Sequence, residues 1–307
     1  MKLSVVTSLY DSEKVVGDFY LRHLKVIKKL NLDYEFIFVD DGSPDESCLK
    51  VEEVLEKDDR VKLIKLSRNF GQHAAMFAGL GYAKGDVIYA ADCDLEEAPE
   101  NLSEMYLLYT KSGSDVVYGV TEERSGDFVR SFLGKCFYDL LDFASEVKIP
   151  RNQAWQRVMS RRYLDALLSF KEVNSLPIGL MALSGFEQLS YTIEKPYKGA
   201  TSYNFLKRYK LALDCLLSYS TKPLVAIVFF GFIITLISFL CAVSIVVQKT
   251  IFQNQFDIGW PSIVIVILFM GGVQLVSSGV IGLYVSKTYD QVKNRPKYII
   301  KDVVDNS

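Results

Sequence analysis

Carboxylates cluster at two places where apolar runs of this sequence give way to turns. The first run ends in Val39-Asp40-Asp41-Gly42-Ser43-Pro44, where Asp40 could accept hydrogen bonds from a nucleobase or a ribose. The same residue types also build an ordinary turn and helix cap, so this segment alone does not choose between the two uses. The second reads Ala91-Asp92-Cys93-Asp94-Leu95-Glu96-Glu97-Ala98-Pro99. Alternate residues of an extended segment face one way, so Asp92 and Asp94 can reach a single divalent ion. Mg²⁺ or Mn²⁺ held in this manner keeps positions open for the oxygens of a diphosphate and stabilises the charge that develops as the diphosphate departs. An Asp-x-Asp triplet is common by chance, and its place after an apolar strand is what gives it weight.

Other chemistries are poorly supplied. Only His23 and His73 are present, too few for a multi-histidine metal site, and a Ser-His-Asp hydrolase is equally short of parts. The five cysteines, Cys48, Cys93, Cys136, Cys215 and Cys241, are odd in number and lack CxxC spacing, which argues against a disulfide framework or a zinc site. Thirty-five basic residues against 37 acidic ones give a formal charge of −2, no field for a nucleic-acid backbone.

The elements that must position the carboxylates follow a βαβ rhythm. Apolar, β-rich runs at Leu3 to Thr7, Glu35 to Val39, Val61 to Leu66, Val87 to Ala91 and Val116 to Tyr118 predict strands. Between them, Val15 to Leu30, Asp45 to Glu56, Gln72 to Ala83 and Pro99 to Tyr109 have helical length and spacing, with Pro44 and Pro99 at starts. The pattern predicts an α/β domain on a mainly parallel sheet, whose ligands bind beyond the carboxyl ends of the strands. From about Phe128 to Tyr219 the alternation fades into amphipathic helical segments suited to a bilayer surface or to packing on the sheet.

Hydrophobic residues make up 50% of the chain and charged ones 23%, so the two kinds must be segregated. Two long uncharged stretches, Pro223 to Val247 and Pro261 to Ser286, exceed the roughly 20 residues that cross a bilayer. Lys207, Arg208, Lys210 and Lys222 precede them and Lys287, Lys293, Arg295, Lys297 and Lys301 follow, with only Lys249 between. That imbalance predicts a multi-pass protein of the cytoplasmic membrane with both termini and the first domain in the cytoplasm. The opening residues lack the apolar core of a signal peptide. Gly271, Gly272, Gly279 and Gly282 in the second span permit close helix contacts, within a subunit or in a homo-oligomer.

Together these features resemble the family 2 glycosyltransferases of GT-A fold, in the membrane-anchored branch that makes polyprenyl-phosphate sugars. The carriers are Ser4-Val5-Val6-Thr7-Ser8-Leu9-Tyr10-Asp11-Ser12-Glu13, Asp40-Asp41-Gly42-Ser43, Ser67-Arg68-Asn69-Phe70-Gly71 with Ala74-Ala75, Asp92-Cys93-Asp94-Leu95, and Val292-Lys293-Asn294-Arg295-Pro296-Lys297-Tyr298 after two spans. The resemblance implies a GT-A domain over residues 1–210, a two-helix anchor over 211–290 and a cytoplasmic tail over 291–307. It implies transfer, with inversion, from a nucleotide sugar, UDP-linked in the bacterial branch, to polyprenyl phosphate. Leu9, Tyr10, Glu13, Asp40 and Asp92 would then bind the donor, and Asp92 and Asp94 would hold Mg²⁺ or Mn²⁺. Asp94, Glu96 and Arg157 would be catalytic, and Arg124, Arg130 and Lys135 would meet the acceptor phosphate.

The chain departs from that pattern in four places. Ser8 replaces the usual proline, Asp11 the usual asparagine and Glu96 the usual glutamine, while Trp155 stands where the branch has the aspartate of Gly-Asp-Phe-Arg. A phosphate nucleophile is already ionised and needs no base, whereas a sugar hydroxyl does. The missing aspartate therefore fits a lipid phosphate better than a lipid-linked saccharide, though Glu96 or Glu97 could serve the latter. A nucleotide-sugar-binding scaffold without catalysis is the alternative of another class, and the retained Asp92 and Asp94 argue against it.

Overall fold

The computed structural model describes residues 1–121, 153–172, 177–194, 221–250 and 259–306. Within them the chain forms β1 (Lys2–Leu9), α1 (Val16–Leu30), β2 (Asp33–Asp40), α2 (Ser47–Leu55), β3 (Val61–Leu66), α3 (Gln72–Tyr82), β4 (Val87–Ala90), α4 (Asn101–Ser112) and β5 (Val116–Thr121). There follow β6 (Gln153–Ser160), α5 (Arg161–Ser169), α6 (Pro177–Leu183), β7 (Gln188–Ile193), α7 (Lys222–Thr250), α8 (Trp260–Val292) and β8 (Ile300–Val304). The five strands and four helices expected before residue 122 are all present.

One eight-stranded sheet runs in the order β7-β5-β6-β4-β1-β2-β3-β8. Its centre is parallel: β1 pairs with β2 and β4, and β2 with β3. The sheet as a whole is mixed, because β6 runs antiparallel between β4 and β5, and β8 runs antiparallel on β3. The helical reading of 128–219 is therefore corrected at Gln153–Ser160 and Gln188–Ile193, which are strands. Their polar and aromatic side chains hid the alternation that lateral pairing imposes.

The central strands are buried on both faces, as parallel strands under helices must be. Alternation assigns the residues: Val5, Phe36 and Phe38 pack with Phe19, Val51 and Met105 of α1, α2 and α4. Val6, Ile37 and Val39 face the other way, against Ala75, Met76 and Leu80 of α3 and Leu164 of α5. Each such large side chain contributes about 1.5–3 kcal/mol on burial. The contact of α3 with the sheet is close enough to require glycine: a Cβ on Gly79 would lie 2.6 Å from Val6 Cγ1 and 2.7 Å from Val39 Cγ2.

Helices α7 and α8 belong to a second compact unit. Both are long and apolar enough to cross a membrane, with windows of mean hydropathy 2.6 and 1.4. Phe230 and Gly231 of α7 and Phe269 and Gly272 of α8 line a common apolar cleft. The residues that follow, 295–307, group with the sheet instead.

That return is an element the sequence did not announce. Val303 and Val304 pair with Ile64 and Leu63, and the Ser67 N–H donates to the Ile299 carbonyl at 2.9 Å. Lys62 meets Asp305 at 2.5 Å, the Asn306 amide donates to the Leu55 carbonyl at 2.9 Å, and Tyr298, Ile300 and Val303 pack on the core. An open β3 edge would offer unpaired backbone groups to other chains. Truncation after Arg295 is expected to lower the unfolding midpoint of the sheet unit and promote association, read by thermal unfolding and size-exclusion chromatography in detergent. An unchanged midpoint would show the strand to be dispensable.

Candidate active site

Since β1, β2 and β4 are parallel, the segments leaving their carboxyl ends emerge at one edge. At the end of β1, Leu9 is buried while Tyr10 is 54% exposed. The Leu9 carbonyl accepts the Asp41 N–H at 3.0 Å, tying the exits of β1 and β2 together. Glu13 ties them again: its N–H donates to Asp45 Oδ2 at 2.9 Å, and its own Oε2 accepts the Glu46 N–H at 3.2 Å.

Asp40, buried at the end of β2, accepts the Ser43 N–H at 3.2 Å in a tight turn. Burial, reinforced by the Asp40 charge, pushes the Cys48 thiol up to about 12, so that side chain stays protonated. The Ser43 hydroxyl is buried with no hydrogen-bond partner among the described residues. A buried hydroxyl in that condition beside a carboxylate suits a polar ligand such as a nucleoside.

Asp41 does something the sequence reading missed. It is 2% exposed, and its two oxygens accept the backbone N–H groups of Phe70 at 2.7 Å and Gly71 at 2.8 Å. Burial raises its carboxyl above the usual range, with those two bonds opposing the rise. Gly42 makes the approach possible, because its φ is +70° and a Cβ there would lie 2.9 Å from the Asn69 nitrogen. The Asn-Phe-Gly segment is thus pressed onto the Asp-Asp-Gly turn, a pairing that no spacing in the sequence announces.

Beyond β4 the exposure pattern keeps the alternation expected for Asp92 and Asp94: Ala91 and Cys93 are buried, Asp92 is half-buried and Asp94 exposed. The backbone there is a turn, however, and Leu95 adopts φ +55°. Asp94 Oδ1 accepts the Glu96 N–H at 3.0 Å, while Asp92 Oδ1 accepts from Gln72 Nε2 at 2.6 Å. Burial raises the Cys93 thiol, with Asp94 and Asp92 adding to the effect, so it offers no thiolate. No group of three or more His, Cys, Asp or Glu side chains is arranged for a metal among the described residues. The donor set at this edge is two hard carboxylates, which fits an ion such as Mg²⁺ that completes its shell with water and phosphate oxygens.

The register of β4 and β6 pairs Ala90 with Arg157, so Trp155 of β6 lies toward the edge at which Asp92 follows β4. The Trp155 ring lies 5.3 Å from that of His73, at the start of α3. Arg157, expected at the reacting atoms, is instead 1% exposed: its guanidinium donates to the Ala154 and Trp155 carbonyls at 3.2 and 3.3 Å and meets the Met181 sulfur. Burial lowers its pKa, opposed by the charges of Tyr163, Glu97 and Asp92. It braces the segment from within through the Ala154 and Trp155 carbonyls. Glu97 is 3% exposed and accepts the Gln156 N–H at 3.0 Å. Gln156 in turn donates to the Ala98 carbonyl at 3.0 Å and accepts from Asn101 at 2.9 Å. Glu97 thus clamps the acidic segment to β6, whereas Glu96 is only half-buried. Arg124, Arg130 and Lys135 lie outside the described residues.

Comparison with known proteins gives the family. The model of the family described as glycosyl transferase family 2 matches residues 4–168. A Mycobacterium tuberculosis (strain CDC 1551 / Oshkosh) protein named as a glycosyltransferase is 37% identical over 99% of this chain and 88% of its own. The bactoprenol glucosyl transferase of Shigella phage SfII is 32% identical, covering 98% of each chain. Among solved structures, mannosyl-3-phosphoglycerate synthase from Rubrobacter xylanophilus is similar with a TM-score of 0.48 and 16% identity, over 71% of this chain and 73% of that one.

The clamp on the acidic segment has a measurable worth. Glu97→Ala leaves the fully buried Gln156 N–H without its acceptor, at a cost of about 1–3 kcal/mol. Thermal or chemical unfolding should show that loss, and a variant as stable as the parent would mean that the segment relaxes to satisfy the amide another way.

Proposed function

The chain belongs to glycosyl transferase family 2, and from that membership we propose that it transfers a sugar from a nucleotide sugar, UDP-linked, to polyprenyl phosphate at the cytoplasmic face of a membrane. The observation that carries this reading is the union, in one chain, of an acidic sheet edge holding Asp40, Asp92 and Asp94 with two apolar helices. Relatives named bactoprenol glucosyl transferase match it from end to end, which supports the same acceptor class.

In the proposed reaction an oxygen of the acceptor phosphate bonds to the anomeric carbon as the bond from that carbon to the donor diphosphate breaks. The electron pair leaves with the nucleoside diphosphate, and the configuration inverts. Leu9, Tyr10, Glu13 and Asp40 border the nucleoside, and Asp92 and Asp94 would hold Mg²⁺ or Mn²⁺ beside the diphosphate. The bound cation supplies charge neutralisation at the leaving group. Holding two anionic reactants in line is the larger part of the task left to the protein. Glu96 borders the reacting atoms, while Arg157 supports the segment from its buried position. On their place in the sequence, Arg124, Arg130 and Lys135 grip the acceptor phosphate with charge-assisted bonds.

The acceptor needs no base because its phosphate is ionised. Trp155 in place of an aspartate, and Glu97 sequestered on Gln156, both favour that acceptor over a sugar hydroxyl. Residues 1–210 act as the catalytic domain and 211–290 as its anchor. The topology draws support from the tail: β8 pairs with β3, so the chain must return to the side of the sheet after α8. Two crossings by α7 and α8 achieve this, with Lys222, Lys293 and Arg295 on the retained side.

Two measurements test the reading. Asp94→Asn keeps the size and removes the charge, so turnover with a nucleotide sugar and undecaprenyl phosphate should fall about a hundredfold or more. Full activity of the parent in chelator, or product formed only on a lipid-linked saccharide, would overturn it. Reporter fusions should place Met1 and Ser307 in the cytoplasm and the segment from Gln248 to Trp260 outside; termini on opposite sides would mean that one helix does not cross.

A further inference from the structure

We propose that Gln72 is the positioning residue of the metal carboxylate Asp92, and that Asp41 holds Gln72 in place. The inference rests on the reading above, in which Asp92 and Asp94 bind the cation. Gln72 is the first residue of α3, and its Nε2 donates to Asp92 Oδ1 at 2.6 Å. The two residues come from different crossovers, so nothing local to Asp92 sets this contact.

The position of the amide is fixed from behind. Immediately before Gln72, the backbone passes through Gly71 at φ +97°, a conformation that side chains disfavour. Asp41 receives the N–H groups of Phe70 and Gly71 from within the fold, on opposite oxygens, at 2.7 and 2.8 Å. The Asn69 backbone rests where a Cβ on residue 42 would otherwise stand. After Gln72, Ala75 and Met76 are buried against the sheet and Gly79 lets the helix sit close to Val6 and Val39. The amide is thus carried on backbone anchored at both ends, one anchor being the β2 turn of the nucleoside side and the other the core. The consequence is a hydrogen-bonded path from Asp41 through residues 70–72 to Asp92, which links the nucleoside end of the site to the diphosphate end.

The choice of side chain is informative. A lysine or arginine in the same place would orient Asp92 but neutralise it, in competition with a cation. A glutamine N–H fixes one carboxylate oxygen and brings no positive charge of its own. Partners behind a ligating carboxylate commonly change metal affinity by about 10–100-fold when removed.

The experiment measures Mn²⁺ binding directly, by the loss of the free-ion signal in electron paramagnetic resonance, on the full chain in detergent with UDP present. Gln72→Leu removes the donor from an exposed position and should weaken Mn²⁺ binding about tenfold. The Mn²⁺ concentration for half-maximal transfer should rise in parallel, with kcat largely restored at saturating metal. Gln72→Lys should weaken binding further, because its charge opposes the ion. Asp41→Asn, which removes the acceptor charge behind the loop, should fall between the parent and Gln72→Leu. Asp92→Asn is the reference for the site itself. If Asp92→Asn loses Mn²⁺ while Gln72→Leu titrates like the parent, the positioning role is overturned and the metal assignment stands. If Asp92→Asn also titrates like the parent, the metal assignment fails and the inference fails with it.

Discussion

Everything at the acidic edge depends on β1 lying parallel between β2 and β4. Parallel neighbours deliver their carboxyl ends to one side, which is where open α/β sheets bind ligands. Burial on both faces, by Phe36 and Phe38 on one side and Ile37 and Val39 on the other, fixes the register, since a slip of one residue would exchange the two sets. The apolar core therefore does more than stabilise: it determines which carboxylates meet.

The edge so formed carries a concentration of negative charge that the fold handles in two ways. Asp41 and Glu97 are turned inward and spent on backbone N–H groups, where they staple one loop to another. Asp92 and Asp94 are left toward the open side, one held by a neutral amide and the other by the Glu96 N–H. This division between inward and outward carboxylates is the physical basis of the proposed donor site.

The tail imposes a second constraint. With β8 paired to β3, the two apolar helices are an excursion that begins and ends at the same sheet. The pairing also covers one edge of a sheet that would otherwise expose unpaired backbone groups.

The first five strands, the four helices among them and the two apolar spans were legible in the sequence, because period-two and helical spacing are local signals that burial enforces. So were Asp40, Asp92 and Asp94, since a polar residue straight after an apolar strand has its place in the fold set by that strand. Strands β6, β7 and β8 were not, because Gln153–Ser160, Gln188–Ile193 and Ile300–Val304 owe their extended form to neighbours far away in sequence. Nor were the partners of Asp41, Gln72 and Glu97, or the inward turn of Arg157. The sequence by itself determined which residue types end the strands, whereas tertiary structure alone decided which of them face one another, since hydrogen bonds between separate crossovers depend on the packing that brings those crossovers together.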